Sequence, residues 1–176
     1  MCLVEPGCRD RDRELANAVA KGDDASLATF FRAYHDSLFR YMRCLVRSID
    51  DAEDLAQDSL LTAAERIRSY RGESSLKTWV HQVAYHTFTR WSRQSKRPMI
   101  ALEVLDAQTF DRLDSRQILL DALDKLPLTL AQPLILQEVV DLSVEEIARI
   151  LEIPPGTVKS RLFTARQRLR QIIGEP

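Results

Sequence analysis

The sequence has little glycine and few cysteines, and it lacks any long apolar run. Its 176 residues include only five glycines, and no alternating segments joined by Asn-Gly or Asp-Gly turns occur. Leu, Ala, Arg, Glu and Gln dominate instead, which favours helix. No apolar stretch approaches the roughly 18 residues that a membrane span needs. These absences predict an all-α protein with no integral membrane segment.

The cysteines, Cys2, Cys8 and Cys44, are odd in number and form no CxxC pair. Free thiols in a reducing compartment are therefore expected rather than disulfides. A zinc site would need a Cys/His cluster at close ligand spacing, and the sequence has none. The N-terminus also turns charged too early for a signal peptide. We predict a cytoplasmic protein with no metal and no cofactor.

Catalytic constellations are absent as well. No His-Asp-Ser arrangement and no pair of acids surrounds His35, His81 or His86. Acid–base or nucleophilic chemistry needs such neighbours. The sequence therefore predicts a protein that is not an enzyme.

Charge is nearly balanced overall, with a formal net charge of −1, but it is segregated along the chain. Residues 76–98 hold five Lys or Arg and no acid, whereas residues 103–125 hold six acids against three basic residues. The C-terminal stretch is basic again. Two basic patches separated by an acidic span suggest two nucleic-acid-facing modules joined by a connector.

Helical periodicity divides the chain into two small helical domains. The first domain, 12–95, follows a disordered N-terminus (1–11) and contains helices predicted at about 12–21, 25–48, 50–70 and 76–93. Asp50 and Asp51 are expected to cap the third of these. A linker is expected over 96–115. The second domain, 116–176, contains helices predicted at 116–125, 128–140, 143–152 and 156–173, with Pro133 in the first turn of its helix or kinking it.

The last two helices have the pattern of a helix-turn-helix. Ser143 and Glu146 form a capping box, and "EIPPG" (152–156) predicts a tight turn. On a 100° wheel the second helix buries Val158, Leu162, Ala165, Leu169 and Ile172. The opposite face carries Ser160, Phe163, Thr164 and Gln167, flanked by Lys159, Arg161, Arg168 and Arg170. This face suits the reading of base edges between phosphate-binding cations, although a basic terminal helix can also be solvated surface.

The third helix separates an apolar face from an acidic one. Its inward face is Ala52, Leu55, Ala56, Leu60, Ala63 and Ile67. Its outward face is Asp51, Asp54, Asp58 and Glu65, with Leu61 among them. An acidic stripe can be solvated surface, or it can dock a basic protein partner whose complementary charge fixes the register.

The fourth helix combines aromatic and basic residues. Leu76, Val80, Val83, Ala84 and Trp91 are predicted to be buried, with Tyr85 and Phe88 on the other side beside His81, Thr89 and Ser92. Arg93, Lys96 and Arg97 follow. Exposed rings and cations suit single-stranded DNA, because bases stack on rings while cations follow the backbone. In the alternative, Tyr85 and Phe88 pack on a neighbouring helix.

Three segments together resemble one protein family. They are "DAEDLAQDSLLTAAERI" (51–67), "YRGESSLKTWVHQVAYH" (70–86) and "LP…LSVEEIARILEIPPGTVKSRLFTARQRLR" (126–170). Their order and spacing resemble the extracytoplasmic-function (ECF) group of bacterial RNA polymerase sigma factors over about residues 13–95 and 116–173. The co-occurrence makes the resemblance specific, since a helix-turn-helix alone occurs in other regulators.

The resemblance implies an alternative sigma factor that binds core RNA polymerase and directs promoter-specific transcription initiation. Region two would bind the β′ clamp helices through Asp51, Asp54, Gln57, Asp58 and Leu61. It would hold the melted −10 strand through Arg71, Ser74, Ser75, Lys77, Tyr85, His86, Arg90, Arg93 and Arg97. Region four would meet the β flap and read the −35 duplex through Thr157, Lys159, Ser160, Arg161, Phe163, Thr164, Gln167 and Arg170. An anti-sigma factor is implied as a further partner.

Four positions depart from the family pattern. His86 replaces the usual Asn, and Thr164 and Ala131 stand where Arg is frequent. Asp141 replaces the usual Gly. The promoter sequence therefore cannot be carried over from the family. A free-standing helix-turn-helix regulator is the rival hypothesis, and the low net charge favours the sigma factor because a solo DNA binder normally carries more positive charge.

Overall fold

The computed structural model describes residues 6–94 and 125–173, which form seven α-helices and one short 3-10 helix. The N-terminal module contains α1 (Pro6–Ala20), α2 (Asp24–Arg43), α3 (Ile49–Arg66), the 3-10 helix (Ile67–Ser69) and α4 (Leu76–Gln94). The C-terminal module contains α5 (Leu128–Glu138), α6 (Val144–Leu151) and α7 (Pro155–Ile173). The all-α prediction is confirmed. The predicted linker and the helix predicted at 116–125 lie outside the described residues, apart from Lys125 in a turn.

The first helix begins earlier than the sequence predicted. It starts at Pro6, so the prediction of a disordered segment over 1–11 is wrong for residues 6–11, while residues 1–5 lie outside the described residues. Proline suits the first position of a helix, where its missing N–H has no partner to lose. Ala16 and Val19 are buried and anchor α1 against α2 and the 3-10 helix.

The start of α3 also differs from the prediction. Ser48, not Asp50 or Asp51, is the N-cap, and its hydroxyl accepts a hydrogen bond from the backbone N–H of Asp51 at 3.2 Å. Ser48 has the extended backbone that an N-cap requires, whereas both aspartates already lie inside the helix. There their negative charges stabilise α3 by interacting with the positive, N-terminal end of the helix dipole.

The N-terminal core lies between α2, α3 and α4. All six residues that the wheel placed on the inward face of α3 are buried, from Ala52 to Ile67. Phe30 and Leu38 from α2 and Leu76 and Val80 from α4 are fully buried in the same core. Burial of such side chains contributes about 1.5–3 kcal/mol each, so this core holds the module together.

The C-terminal core lies between α5, α6 and α7. Val158, Leu162, Ala165 and Leu169 are buried as predicted, while Ile172 is half-buried. Pro133 lies inside α5 and is buried. It is the sixth of the eleven residues and lies beyond the first turn, so it removes one backbone hydrogen bond from the interior of the helix. Among the described residues, no helix combines the length and the apolar character needed to cross a membrane.

Candidate nucleic-acid and polymerase interfaces

The helix-turn-helix is built by α6, a tight turn and α7. The capping box is present: Ser143 Oγ accepts from the Glu146 N–H at 3.3 Å, and Glu146 Oε2 accepts from the Ser143 N–H at 3.0 Å. Glu152 ends α6 in the left-handed conformation, with φ of 55°. The backbone N–H of Ile153 then donates to the Ala148 carbonyl at 3.1 Å, which closes the turn before α7.

The outer face of α7 presents the residues predicted to read the −35 duplex. Phe163 is 68% exposed, which is unusual for a large apolar side chain. The residues of the predicted set that are fully exposed with it are Lys159, Ser160, Gln167 and Arg170, while Thr157, Arg161 and Thr164 are partly buried. The hydroxyls of Ser160 and Thr164 donate to carbonyls of their own helix at 3.0 and 2.9 Å. Both therefore offer oxygen acceptors rather than donors to a base edge.

Arg166 has a different role from its basic neighbours. It lies on the same helix but donates to Gln137 at 2.8 Å and to Glu138 at 2.9 Å. Both partners belong to α5. Arg166 therefore fixes α7 against the rest of its module, and the exposed cations beside it are left to face outward.

The acidic face of α3 is exposed. Asp54, Gln57, Asp58 and Leu61 are exposed, and Asp51 is half-buried. Leu61 is 52% exposed among these acids. Sequence reasoning missed the exposed Ile49 at the first position of α3, which adds a second large apolar side chain to the helix surface. Single exposed apolar side chains also occur on ordinary surfaces, so the acidic face stays a predicted protein interface.

The loop before α4 is braced by α1, which sequence reasoning did not predict. Gly72 has φ of 71°, and a Cβ there would meet the guanidinium of Arg13. Asp12 accepts from the Leu76 backbone N–H at 2.7 Å and so caps α4 from a distance of 64 residues in the chain. No local sequence pattern could reveal a cap supplied by another helix.

The residues predicted to bind the −10 strand differ in accessibility. Arg71, His86, Arg90 and Arg93 are exposed, whereas Ser75, Lys77 and Tyr85 are half-buried. Ser74 is only 8% exposed, so in this conformation it lies out of reach of a DNA strand. Arg97 lies outside the described residues.

Two residues that the wheel placed on the outer side of α4 are buried. Phe88 is 1% exposed and stacks on Trp91 with the ring centroids 6.2 Å apart. His81 is fully buried, with Nδ1 donating to the Lys77 carbonyl at 2.8 Å and Nε2 accepting from Ser37 at 3.1 Å. Burial lowers the pKa of His81 to about 4, so the ring is neutral at pH 7. The burial of Phe88 agrees with the alternative that it packs inside, whereas the outward placement of His81 was wrong because α4 is covered on more than one side.

The two modules touch along α4 and α6, and we call this the inter-module contact. Glu146 Oε1 accepts from Thr78 at 2.7 Å and from Ser75 at 3.4 Å. Burial raises the pKa of Glu146, but the hydrogen bonds from Ser143, Thr78 and Ser75 outweigh it and hold that pKa below its ordinary value. The carboxylate is therefore ionised at neutral pH and shared between both modules.

Three further polar contacts extend the inter-module contact on either side of Glu146. Lys77 Nζ donates to the carbonyl of Val140. Arg149 donates to the carbonyl of Glu73 at 3.0 Å. His86 Nε2 lies 3.3 Å from Glu152 Oε1. His86, predicted to hold the −10 strand, is exposed.

Both modules match known protein families. Residues 30–98 match the family described as Sigma-70 region 2, and residues 116–169 match Sigma-70, region 4. RNA polymerase sigma factor YlaC of Bacillus subtilis is 32% identical over 157 residues, which are 83% of this chain and 91% of the relative. ECF RNA polymerase sigma factor SigM of Mycobacterium tuberculosis is 30% identical over 166 residues, 93% of this chain and 85% of the relative. This chain belongs to the ECF sigma factors.

This ECF sigma factor is thus a non-catalytic subunit that directs transcription by RNA polymerase. Solved structures share its fold. CnrH, solved in complex with the cytosolic domain of CnrY, aligns with a TM-score of 0.72 at 19% identity, over 93% of this chain and 97% of that one. Sigma factor RpoE of Bartonella quintana, solved with the anti-sigma factor NepR, aligns with a TM-score of 0.67 at 26% identity, over 88% of this chain and 98% of that one.

Proposed function

We propose that this ECF sigma factor binds core RNA polymerase and recognises a two-part promoter, with α7 reading the −35 element as duplex. The observation that supports this most directly is the division of α7 into two faces. Val158, Leu162 and Ala165 are buried, while Phe163 stands 68% exposed between exposed Lys159 and Gln167. An apolar ring can contact a thymine methyl while flanking cations hold phosphates.

The N-terminal module would hold the −10 element as melted single strand. Arg71, Arg90 and Arg93 are exposed cations along the loop and α4, and the Tyr85 ring is half-buried beside them. Cations can follow a single-stranded backbone while a ring stacks on a base. Capture of unstacked bases favours melting, since unstacking costs a few kcal/mol that only the open form recovers.

The acidic face of α3 would dock on core polymerase at the β′ clamp helices, and the C-terminal module would meet the β flap. The exposed acids Asp54 and Asp58 lie one helical turn apart, next to exposed Leu61. Complementary charge would steer the encounter and set its register, while the leucine supplies apolar contact. The same acids would repel DNA, which assigns this face to protein rather than to the promoter.

A charge reversal tests the core-binding face. Asp54→Arg with Asp58→Arg should weaken binding to core polymerase at least about tenfold, since like charges across an interface cost several kcal/mol. Asp10→Arg with Glu14→Arg is the matched control, because these exposed acids have the same spacing on α1. Affinity is measured by titrating labelled factor with core enzyme, and circular dichroism verifies folding. Equal affinities for the two folded double variants would remove the acidic face of α3 from the interface.

A second test separates this proposal from a free-standing helix-turn-helix regulator. The sigma factor should co-elute with core polymerase and bind promoter duplex stably only as part of that complex. A regulator would shift the duplex without polymerase and would behave as a dimer. Stable duplex binding without polymerase, together with no co-elution, would overturn the proposal.

We further propose that an anti-sigma factor restrains this factor in the cytoplasm. Support comes from the RpoE structure of Bartonella quintana, in which a chain of this fold is held by the anti-sigma factor NepR. An anti-sigma factor would cover the acidic face of α3 and the exposed face of α7. Its binding should then compete with core polymerase, which a competition titration with the purified partner measures.

A further inference from the structure

The inter-module contact occupies the surface proposed to hold the −10 strand. Three of the residues predicted for that strand, Ser75, Lys77 and His86, each have a side-chain polar contact with the C-terminal module, although Ser75 also bonds Thr78 of its own helix start. Thr78, which lies between them, is fully buried and bonded to Glu146. A strand could therefore reach Thr78 only after the modules separate, and it would have to displace the C-terminal partners of Ser75, Lys77 and His86.

The chemistry of the inter-module contact imitates that of a nucleic-acid strand. The N-terminal module supplies donors: two hydroxyls, an ammonium and an imidazole. The C-terminal module supplies acceptors: the carboxylates of Glu146 and Glu152 and the carbonyl of Val140. Phosphate oxygens and base carbonyls would accept from the same donors. One exception runs the other way, because Arg149 donates to the Glu73 carbonyl.

The contact leaves the other DNA surface free. It uses α6 and the ends of that helix, whereas Lys159, Ser160 and Phe163 on α7 stay exposed. The buried apolar residues of the two modules form one continuous cluster, and the hydrogen bonds of the contact centre on the Glu146 carboxylate. Loss of the carboxylate charge should therefore weaken the contact without removing its apolar part.

We propose that the inter-module contact is an autoinhibitory clasp, in which the acceptors of the C-terminal module compete with the melted promoter strand for the donors of α4. In the closed chain the −35 face is available while the −10 surface is occupied. Separation of the modules exposes the −10 surface. This inference rests on the proposed −10 role of α4. It means that the chain itself regulates the capture of the melted strand.

The test uses the full chain without polymerase and a labelled pool of random-sequence single-stranded DNA. The variant Glu146→Gln with Glu152→Gln removes both carboxylate charges, and glutamine preserves the capping box at the start of α6. Glu145→Gln with Glu146 and Glu152 intact is the first control, because it removes an exposed acid of the same helix. Glu145→Gln with Asp141→Asn is the second control and matches the loss of two charges, because Asp141 is an exposed acid of the same module and asparagine tolerates its φ of 58°.

The clasp variant should bind the pool about tenfold more tightly than the two-charge control, the change expected when about one charge-assisted hydrogen bond no longer competes. Its radius of gyration by small-angle X-ray scattering should rise, while the controls keep the value of the parent chain. Both changes together support the clasp. Equal affinities would overturn it.

Tighter binding at an unchanged radius would also overturn it, because the carboxylates would then act by repelling the strand. Expansion without tighter binding would show that the contact does not occupy the strand site. Core binding is measured in parallel. If the parent chain does not bind core polymerase, the proposed sigma function is contradicted. The clasp is tested separately, by the affinity for single-stranded DNA and the radius of gyration alone.

Discussion

Thr78 in α4 donates a 2.7 Å hydrogen bond to the carboxylate of Glu146 in α6, although 68 residues separate them in the chain. The same carboxylate closes the capping box of α6 through its other oxygen. One side chain therefore caps α6 of the C-terminal module and joins that module to the surface proposed to hold the −10 strand. This double role makes Glu146 a point of coupling between the two modules.

A double-mutant cycle should detect that coupling. Thr78→Val and Glu146→Gln together should cost less than the sum of the single changes, with a coupling energy of about 1 kcal/mol, because a hydrogen bond to an ionised acceptor is lost only once. Urea unfolding of the four chains measures it. A control cycle pairs Thr78→Val with Glu145→Gln, and its coupling energy should be near zero. A coupling energy of similar size in the control cycle would contradict the hydrogen bond between Thr78 and Glu146.

Gly72→Ala should destabilise the protein by about 1–2 kcal/mol. The position has φ of 71°, where a Cβ meets the following carbonyl oxygen, while the neighbouring Arg13 guanidinium can move aside. Gly156→Ala is the control, since its Cβ would meet nothing within 4 Å and its backbone is helical. That change should be neutral or stabilise by up to about 1 kcal/mol. Chemical denaturation compares the two, and equal effects would refute the role of the backbone conformation.

His81 should make the protein less stable in acid. Its folded pKa is about 4 and its ordinary value is 6.5, so between these the unfolded chain binds a proton that the folded chain does not. The free energy of unfolding should therefore fall by up to about 1.4 kcal/mol per pH unit as the pH drops from 6.5 towards 4. His81→Gln should flatten this slope in denaturation curves measured between pH 4.5 and 7.

His35 provides a control of opposite sign. Partial burial works to lower the pKa of His35, but its hydrogen bonds and charge interactions with Glu53 and Asp36 outweigh this and raise that pKa. It therefore contributes stability that is present below pH 6.5 and is lost as the pH rises through the raised pKa. In the His35→Gln variant this loss of stability above pH 6.5 should be absent. The fall in the free energy of unfolding below pH 6.5 should stay as it is in the parent chain. If His81→Gln does not change how the free energy of unfolding depends on pH below 6.5, His81 is not the source of that dependence.

Substitutions of two adjacent residues of α7 should have different effects, one on promoter recognition and the other on the stability of the fold. Phe163→Ala should change stability by less than about 0.5 kcal/mol because the ring is 68% exposed, yet it should lower promoter-directed transcription about tenfold. Leu162→Ala should cost about 2–5 kcal/mol because that side chain is buried in the core. Run-off transcription uses a promoter identified by sequencing the transcripts that overexpression induces. Full transcription by Phe163→Ala would remove the ring from the reading face.

Periodicity predicted α3 and α7 well because each helix has one buried side. The inward residues Ala52 to Ile67 and Val158 to Leu169 are buried as the wheel required, and the capping box of Ser143 and Glu146 formed. Periodicity was less decisive on α4, where it left the burial of Phe88 open and placed the buried His81 on the outer side. A wheel assigns an angle to each side chain but not the number of neighbours that cover the helix.

The sequence by itself determined the all-α class, most helix positions, the two faces of α3 and α7 and membership of the ECF sigma factors. The helix positions and faces depend on the 3.6-residue period and on local caps, which are written in neighbouring residues, whereas the family resemblance depends on three motifs in their order and spacing. Only the tertiary structure decided that Asp12 caps α4, that Ser37 holds His81 and that Glu146 bonds Thr78. Those pairs lie 64, 44 and 68 residues apart, so their hydrogen bonds depend on how whole helices pack.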